Sequence, residues 1–239
     1  NLILEKLCWP HINLLISVSD SILNWYLTKF FFKKKLLILN SPLLNKELLL
    51  EQNKSLYLKN KFNITNNRPI FIYIGNLCLG RGIEKSLDVF SKIEYNADIV
   101  FLGFGKLEKL IKKYQLNFSN IHLHEPVPHE KVLSISKSAD FGLCLLENVS
   151  LSVYYALPNK IFEYAFSGLP TMCSDFPELK NFLYKNNIGL VSENNEKDML
   201  KVINNFINKK YQFNFNIEKL YKFSWQYQCK KLIEEYNNL

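Results

Sequence analysis

The sequence predicts an α/β fold with a doubly wound parallel sheet of the Rossmann-like kind and a long helix at its C-terminal end. Six short apolar runs, separated by amphipathic stretches of about ten to fifteen residues, support this prediction. The runs lack the alternation of half-exposed strands, and continuous apolar runs are typical of parallel strands covered on both faces. The predicted strands are 70–74, 99–102, 121–123, 141–145, 171–173 and 188–191.

The first part of the chain predicts too little structure for a domain of its own. An apolar run at 14–18 ends at Ser19 and Asp20, which can cap a helix, and 36–39 predicts a second strand before Pro42. Two strands and a helix are too few for a stable sheet with its own core. We therefore expect residues 1–42 to be the truncated end of a preceding domain.

Residues 43–68 are rich in lysine and asparagine and lack a long hydrophobic period, so we expect a connector with one helical turn. The alternation of strands and helices begins at Pro69 and predicts a domain at 69–239. Ligands of such domains bind beyond the carboxyl ends of the strands. From about Ile217 through Trp225 to Tyr236, the pattern predicts one long helix.

Composition limits the class of protein. With 48% hydrophobic and 14% aromatic residues among 239, the chain can fill a core, which excludes a disordered protein. The net charge of +8 comes almost entirely from lysine spread along the sequence, so it is weak evidence for nucleic-acid binding. Arg68 and Arg81 are the only arginines, and an arginine at 81 indicates a use for its planar guanidinium group.

The cysteines predict a reduced protein, because no Cys-x-x-Cys pair occurs among Cys8, Cys78, Cys144, Cys173 and Cys229. No apolar run reaches the length of about 18 residues that a membrane span needs, and no secretory signal is evident. We expect a cytoplasmic protein. Peripheral contact with an anionic membrane at its inner face stays open.

The most informative stretch runs from Leu157 to Pro170. Pro158 favours a helix start, and Gly168 with Pro170 favours its end. Lys160 lies in the first turn, where the helix dipole disfavours a cation unless an anion binds there. This pattern predicts a phosphate ligand. The alternative is a solvated Lys160 paired with Glu163 on the same helix.

A glycine-rich loop follows the strand at 70–74 and leads into the next helix. It reads Gly75-Asn76-Leu77-Cys78-Leu79-Gly80-Arg81-Gly82. The loop lacks the spacing of a dinucleotide fingerprint, and it lacks the Lys-Ser/Thr pair of a Walker A motif. Arg81 can still hold a phosphate through two hydrogen bonds. The second glycine pair, Gly103-Phe104-Gly105, is interpreted as a turn.

Other reaction chemistries have little support in the sequence. His122, His124, Glu125 and His129 are close enough for a metal site to be conceivable, but two prolines shape that loop and no further ligands cluster there. No Ser/His/Asp or Cys/His arrangement indicates covalent acyl chemistry. We therefore predict no metal and no cofactor.

Several segments of the chain resemble the donor-binding C-terminal domain of GT-B fold glycosyltransferases, and they occur in the same order as in that family. The resemblance is to the retaining, GT4-like members of glycosyltransferase group 1. The similarity extends from Pro69 to about Tyr236, and 1–42 resembles the end of the family's N-terminal, acceptor-binding domain. The segments are Tyr73-Ile74-Gly75-Asn76-Leu77 with Gly80-Arg81-Gly82, Phe101-Leu102-Gly103-Phe104-Gly105, Ser138-Ala139-Asp140, and Pro158-Asn159-Lys160-Ile161-Phe162-Glu163-Tyr164 with Gly168-Leu169-Pro170.

This resemblance implies roles for individual residues. Arg81 matches the basic residue on the donor diphosphate, and Glu163 matches the glutamate that holds the ribose hydroxyls. Two positions depart from the family. Tyr155 replaces the first glutamate of the E-x7-E motif, and Asn76 replaces an arginine. Lys160 can supply the positive charge that is lost with this arginine. The implied catalytic residues are Arg81 and Lys160, and the implied donor-binding residues are Gly75, Asn76, Gly80, Tyr155, Pro158, Asn159 and Glu163.

The resemblance implies transfer of a sugar from a nucleotide diphosphate sugar to a glycan or lipid-linked acceptor, in surface polysaccharide biosynthesis and without a metal. Residues 69–239 would then form the nucleotide-sugar-binding domain, and the chain as given would be inactive without its first domain. A non-catalytic or degenerate nucleotide-sugar-binding subunit is the alternative, which Tyr155 favours. A nucleic-acid partner is not expected, because no arginine-rich face or aromatic platform is visible.

Overall fold

In the computed structural model, residues 2–45, 47, 54–65 and 67–238 are described. The first segment contains α1 (Leu2–Cys8), a 3₁₀ turn (Trp9–His11), β1 (Leu14–Ser17), α2 (Asp20–Leu27) and β2 (Lys34–Leu37). β1 and β2 pair in parallel, with Leu14 opposite Lys34. The Ser19 hydroxyl accepts a hydrogen bond from the Ile22 amide at 3.3 Å, which confirms the predicted helix cap.

The described part of the connector contains a short helix of five residues, α3 (Tyr57–Lys61), where the sequence predicts a helical turn. Its Leu58 is fully buried, and the Tyr57 hydroxyl is hydrogen-bonded to His124 Nε2 at 2.9 Å. These contacts attach the connector to the sheet edge. Predicted connector residues 46, 48–53 and 66 lie outside the described residues. The division of the chain at 42 and 68 stays a prediction.

The six predicted strands are confirmed, each within two residues of its predicted bounds. They are β3 (Ile70–Ile74), β4 (Asp98–Leu102), β5 (Ile121–His124), β6 (Phe141–Cys144), β7 (Thr171–Ser174) and β8 (Gly189–Ser192). The helices between and after them are α4 (Ile83–Ser91), α5 (Glu108–Asn117), α6 (His129–Ser136), α7 (Leu151–Tyr154), α8 (Asn159–Phe166), α9 (Pro177–Asn186), α10 (Glu196–Ile207), α11 (Ile217–Tyr221) and α12 (Trp225–Tyr236).

These strands form one parallel sheet in the order β5-β4-β3-β6-β7-β8. The chain moves outward from β3 to β5 and then returns to β6 on the other side of β3. The doubly wound prediction is therefore confirmed. At such a reversal the two flanking loops diverge, which opens a crevice at the carboxyl ends of β3 and β6.

Both faces of the sheet are covered, because successive strand residues belong to two separate hydrophobic clusters. Ile72 and Val100 pack with Phe162 of α8 on one face, while Phe71 and Phe101 join the cluster on the other. All of these side chains are fully buried. This explains why the strands have continuous apolar sequences.

Tyr164 of α8 connects its helix directly to the two strands at the crevice. Its hydroxyl accepts a hydrogen bond from the Ile74 amide and donates one to the Leu143 carbonyl, both at 3.0 Å. Direct pairing of β3 with β6 ends at Tyr73 and Leu143, so the phenol bridges the strands where they part. Burial raises the pKa of this phenol well above its usual value, so it stays protonated and able to donate.

Gly142 makes room for this tyrosine. A Cβ atom at Gly142 would lie 2.5 Å from the Tyr164 ring, closer than carbon atoms approach in packed proteins. The glycine is therefore required by close packing of α8 on β6.

The prediction of one long C-terminal helix is wrong, because α11 and α12 are separate. Ser224 has extended backbone between them, and its hydroxyl accepts a hydrogen bond from the Tyr227 amide at 3.4 Å, so it caps a new helix. α12 then packs on the segment that follows β2. The Trp225 amide bonds the Pro42 carbonyl at 3.0 Å, and Gln228 Oε1 accepts from the Leu39 amide at 3.0 Å.

In the part of the chain that the structure describes, no helix combines the length and hydropathy that crossing a bilayer requires.

We expect Tyr164→Phe to lower the free energy of unfolding by about 1–3 kcal/mol, because the buried Ile74 amide and Leu143 carbonyl lose their partner. Urea unfolding followed by circular dichroism measures the change. Tyr95→Phe is the matched control, since Tyr95 is 83% exposed, and it should change stability by less than about 0.5 kcal/mol. Equal stabilities of the two variants would contradict the bridging role of the hydroxyl.

Candidate functional site

A cleft of about 470 Å³ lies at the carboxyl ends of β3 and β4, beside the start of α8. It brings together seven of the nine predicted site residues: Gly75, Asn76, Arg81, Pro158, Asn159, Lys160 and Glu163. Gly80 and Tyr155 do not line it. The cleft is also lined by residues for which the sequence predicts no role in the site, among them Tyr73, Phe104 and His129.

Two glycines let the backbone loops after β3 and β4 approach closely and form one wall of the cleft. The φ angle of Gly103 is +151°, and a Cβ atom there would lie 2.0 Å from the Gly75 carbonyl oxygen. The Gly75 amide donates to the Leu102 carbonyl at 2.9 Å, and the Leu77 amide donates to the Phe104 carbonyl at 2.8 Å. Gly103 and Phe104 of the predicted turn thus line the cleft.

Arg81 enters the cleft from the glycine-rich loop, directly before α4. Gly82 follows it in the left-handed conformation with φ of 68°, which turns the chain into the helix. Arg81 is partly exposed and forms no salt bridge with any residue that the structure describes. Gly80 has a different place: its carbonyl accepts from the Glu147 amide at 3.0 Å, so it shapes the loop.

The first turn of α8 lies at the cleft without a side-chain cap. Pro158 is the N-cap residue in extended conformation, and no side chain accepts from the free amides of the first turn. Such amides, together with the helix dipole, form a binding site for anions. The helix start that the sequence predicts at Pro158 is therefore at one end of the cleft.

The alternative interpretation of the sequence was a Lys160–Glu163 ion pair, and the structure does not contain this pair. Its ammonium nitrogen lies 3.5 Å from the centroid of the Tyr73 ring, a cation–π contact. Lys160 makes no salt bridge within the described part of the chain. Burial lowers its pKa to about 8, and the positive charge of Arg81 adds to this effect.

Tyr73 is held rigidly beneath this lysine. Its side chain is 2% exposed, and its hydroxyl donates to the Asn76 carbonyl at 2.8 Å. Tyr73 was not predicted as a site residue, because it lies within an apolar run. The one sequence signal for its role was the position of this polar aromatic residue, two residues before Gly75 at the end of the strand.

Glu163 lies one turn after Lys160 and is 7% exposed. Burial raises the pKa of its carboxyl group, while the nearby His129 and Lys160 side chains oppose this shift. His129 Nδ1 is 3.8 Å from Glu163 Oε1, and no hydrogen bond from the described residues reaches the carboxylate. A buried carboxylate in this state is suited to hydroxyl donors from a ligand.

Tyr155 lies away from this cleft, at the end of α7, where its ring packs 5.3 Å from that of Tyr154. Its role at the donor site stays a prediction. The histidines that suggested a metal site have separate partners: His122 Nε2 lies 2.9 Å from Asp98, and His124 bonds Tyr57. Across the described ranges, no three His, Cys, Asp or Glu side chains cluster as metal ligands would.

The comparisons with known proteins agree with this geometry. Residues 57–220 match the family model described as glycosyl transferases group 1. No curated protein matches the chain.

Several solved structures share the fold at low sequence identity. Sucrose-phosphate synthase from Thermosynechococcus elongatus has a TM-score of 0.76 at 16% identity, covering 99% of this chain and 61% of that one. HepE from Anabaena, solved with UDP, has a TM-score of 0.76 at 11% identity, covering 98% and 66%. WaaG, a glycosyltransferase involved in lipopolysaccharide biosynthesis, has 0.61 at 14%, covering 92% and 58%.

This chain thus spans less than two thirds of the length of those structures. The similarity to GT-B glycosyltransferases that the sequence indicates is confirmed, and the parallel sheet of six strands is their Rossmann-like fold. Since the family model matches more than half of the residues, the chain belongs to the glycosyl transferases group 1 family.

Proposed function

We propose that this chain is the donor-binding part of a retaining, GT4-like glycosyltransferase. The enzyme would transfer a sugar from a nucleotide diphosphate sugar to a glycan or lipid-linked acceptor in surface polysaccharide biosynthesis. One observation carries the proposal: Arg81, Lys160 and the uncapped start of α8 line the same cleft. Among the described residues, no carboxylate forms a salt bridge with either of these two cations. Cations held in this way are available to a diphosphate.

The second support is the position of Glu163 in the same cleft. Its buried carboxylate can accept hydrogen bonds from both hydroxyls of a vicinal diol, as in a ribose. A nucleoside diphosphate would thus place its ribose at Glu163 and its phosphates at Lys160 and Arg81. The known binding of UDP to HepE supports this choice of ligand by analogy.

Cleavage of the donor separates a sugar cation from a diphosphate anion. Positive groups near the leaving diphosphate lower this barrier, since negative charge develops there in the transition state. Lys160 and Arg81 would supply that stabilisation from fixed positions. The acceptor would come from a domain opposite the cleft, so we propose that this chain alone transfers sugar poorly.

The second candidate function is a nucleotide-sugar-binding subunit without catalysis. It is favoured by Tyr155, which lines no part of the cleft and stands where the family has its first glutamate. Both candidates bind the nucleotide, and only the first transfers sugar when the opposite domain is supplied.

The first prediction is that the chain binds at least one of UDP, GDP and ADP in buffer with EDTA, as measured by isothermal titration calorimetry. Arg81→Ala should weaken this binding about 10- to 100-fold, because a charge-assisted hydrogen bond is lost. Lys85→Ala is the matched control, since Lys85 is an exposed cation one turn further along and is paired with Glu147. If a folded sample binds none of the three nucleotides, the proposed function is wrong.

The second prediction concerns the ribose. Wild type should bind the 2′-deoxy form of the preferred nucleotide more weakly than the ribose form, because Glu163 loses one hydroxyl partner. Glu163→Gln should reduce this difference, since a neutral amide oxygen is a weaker acceptor than a carboxylate. The same preference for ribose in both proteins would count against the role of Glu163.

The third prediction is a pH dependence of nucleotide affinity. The pKa of Lys160 is about 8 without ligand, and a bound diphosphate should raise it. Affinity should therefore be highest below about pH 8 and should fall as the pH rises toward about 9, because the free lysine loses its proton. The groups that influence the Lys160 charge are Tyr73, Cys78, Arg81, Cys144 and Glu163.

Calorimetry between about pH 7 and about pH 9, above the second ionisation of a terminal phosphate, measures this dependence. Lys160→Met is the control that should bind weakly and with a smaller dependence on pH in this range. Burial raises the pKa of Cys144 to about 11, and that of Tyr73 is raised further, so neither group titrates in this range. The Cys78→Ser variant tests the remaining thiol. A pH dependence that persists undiminished in Lys160→Met would show that another group is responsible.

A further inference from the structure

We propose that Tyr73 is a positioning residue for the nucleotide diphosphate: its ring fixes the Lys160 ammonium group at the place where the phosphates bind. The proposal rests on the proposed function, because Lys160 must contact the diphosphate for its position to matter. Tyr73 itself would act through Lys160 and would not need to touch the substrate.

The first argument is that the ring is fixed before any ligand binds. The Tyr73 hydroxyl donates to the Asn76 carbonyl at 2.8 Å, in the loop directly after β3. The ring packs on Phe101 of the neighbouring strand, with centroids 5.9 Å apart, and the side chain is buried. A ring tethered at both its edge and its face cannot swing away, so it presents one constant face to Lys160.

The second argument is that the ring contact orders the end of the Lys160 side chain. Its Nζ atom lies 3.5 Å from the ring centroid. The same end passes close to Gly75, where even an added Cβ would be 3.8 Å from both Cε and Nζ. A lysine has four flexible bonds, and ordering them costs up to about 2 kcal/mol. The Tyr73 contact provides this order in the unliganded protein.

The third argument concerns charge. A carboxylate partner would order Lys160 equally well, but it would neutralise the ammonium group and compete with the diphosphate. An aromatic face attracts a cation through its quadrupole and carries no net charge. Lys160 is therefore ordered without a carboxylate that would neutralise its positive charge. This distinguishes it from Lys54, Lys61 and Lys92, which form salt bridges with carboxylates.

The test compares Tyr73→Phe with Tyr73→Leu by calorimetry, using the preferred nucleoside diphosphate at about pH 7. Tyr73→Phe keeps the ring and should bind within about threefold of wild type. Tyr73→Leu removes the ring and should weaken binding about 2- to 30-fold, the range expected for a lost cation–π contact. In the Lys160→Ala background, Tyr73→Leu should cause no further loss, because the two residues act as one unit.

A second series avoids a change of shape in the core. Phenylalanine with one, two or three ring fluorines at position 73 has a progressively weaker quadrupole, and nucleotide affinity should fall stepwise along it. A purely structural role of Tyr73 predicts no such trend. Affinities that do not change along the series, or a Tyr73→Leu loss of equal size with and without Lys160, would overturn the proposal.

Proton NMR of the unliganded protein separates this proposal from the proposed function. The Lys160 ε-protons lie over the ring, so they should resonate upfield of the other lysines, and Tyr73→Leu should remove this shift. If the shift is present but no nucleoside diphosphate binds, the proposed function fails while the contact stands. If nucleotide binds and Lys160→Ala weakens it, but the upfield shift is absent, the positioning role of Tyr73 fails.

Discussion

The bridge that the Tyr164 hydroxyl makes between the Ile74 amide and the Leu143 carbonyl sets the geometry of the whole site. Parallel strands part at a reversal of strand order, and their unpaired backbone groups need partners. Here the partner comes from α8, the helix that also carries Lys160 and Glu163. Stability and site geometry therefore depend on the same contact. The helix cannot shift along the sheet without breaking two buried hydrogen bonds.

The charges in the cleft are arranged at a cost to the unliganded protein. Burial lowers the pKa of Lys160 to about 8, and the positive charge of Arg81 adds to this effect. Glu163 is buried as well, where its ionised form is disfavoured. A bound diphosphate would stabilise the charged form of Lys160, and a bound diol would donate hydrogen bonds to the Glu163 carboxylate. Function-bearing sites commonly concentrate such perturbed groups.

The sequence alone determined the architecture and several of the residues that line the site. Continuous apolar runs separated by amphipathic segments define a parallel sheet between helices, because only a strand covered on both faces can be apolar throughout. Pro158 and Gly168 bracket α8 through local backbone preferences, which do not depend on distant residues. Arg81 and Lys160 could be singled out since their chemistry is unusual for their local positions, whereas Glu163 was predicted through the resemblance to the glycosyltransferase family.

Only the tertiary structure decided what surrounds these residues. The end of α11 at Tyr221 and the new helix from Trp225 were missed. The Ser224 cap is a local signal that the sequence carries, whereas the contacts of α12 with Pro42 and Leu39 join segments far apart in the chain. Tyr73 was hidden in an apolar run, and its contact with Lys160 exists only where β3 meets α8. Local preferences define elements along the chain. Partners across the fold depend on packing, which a single sequence does not display.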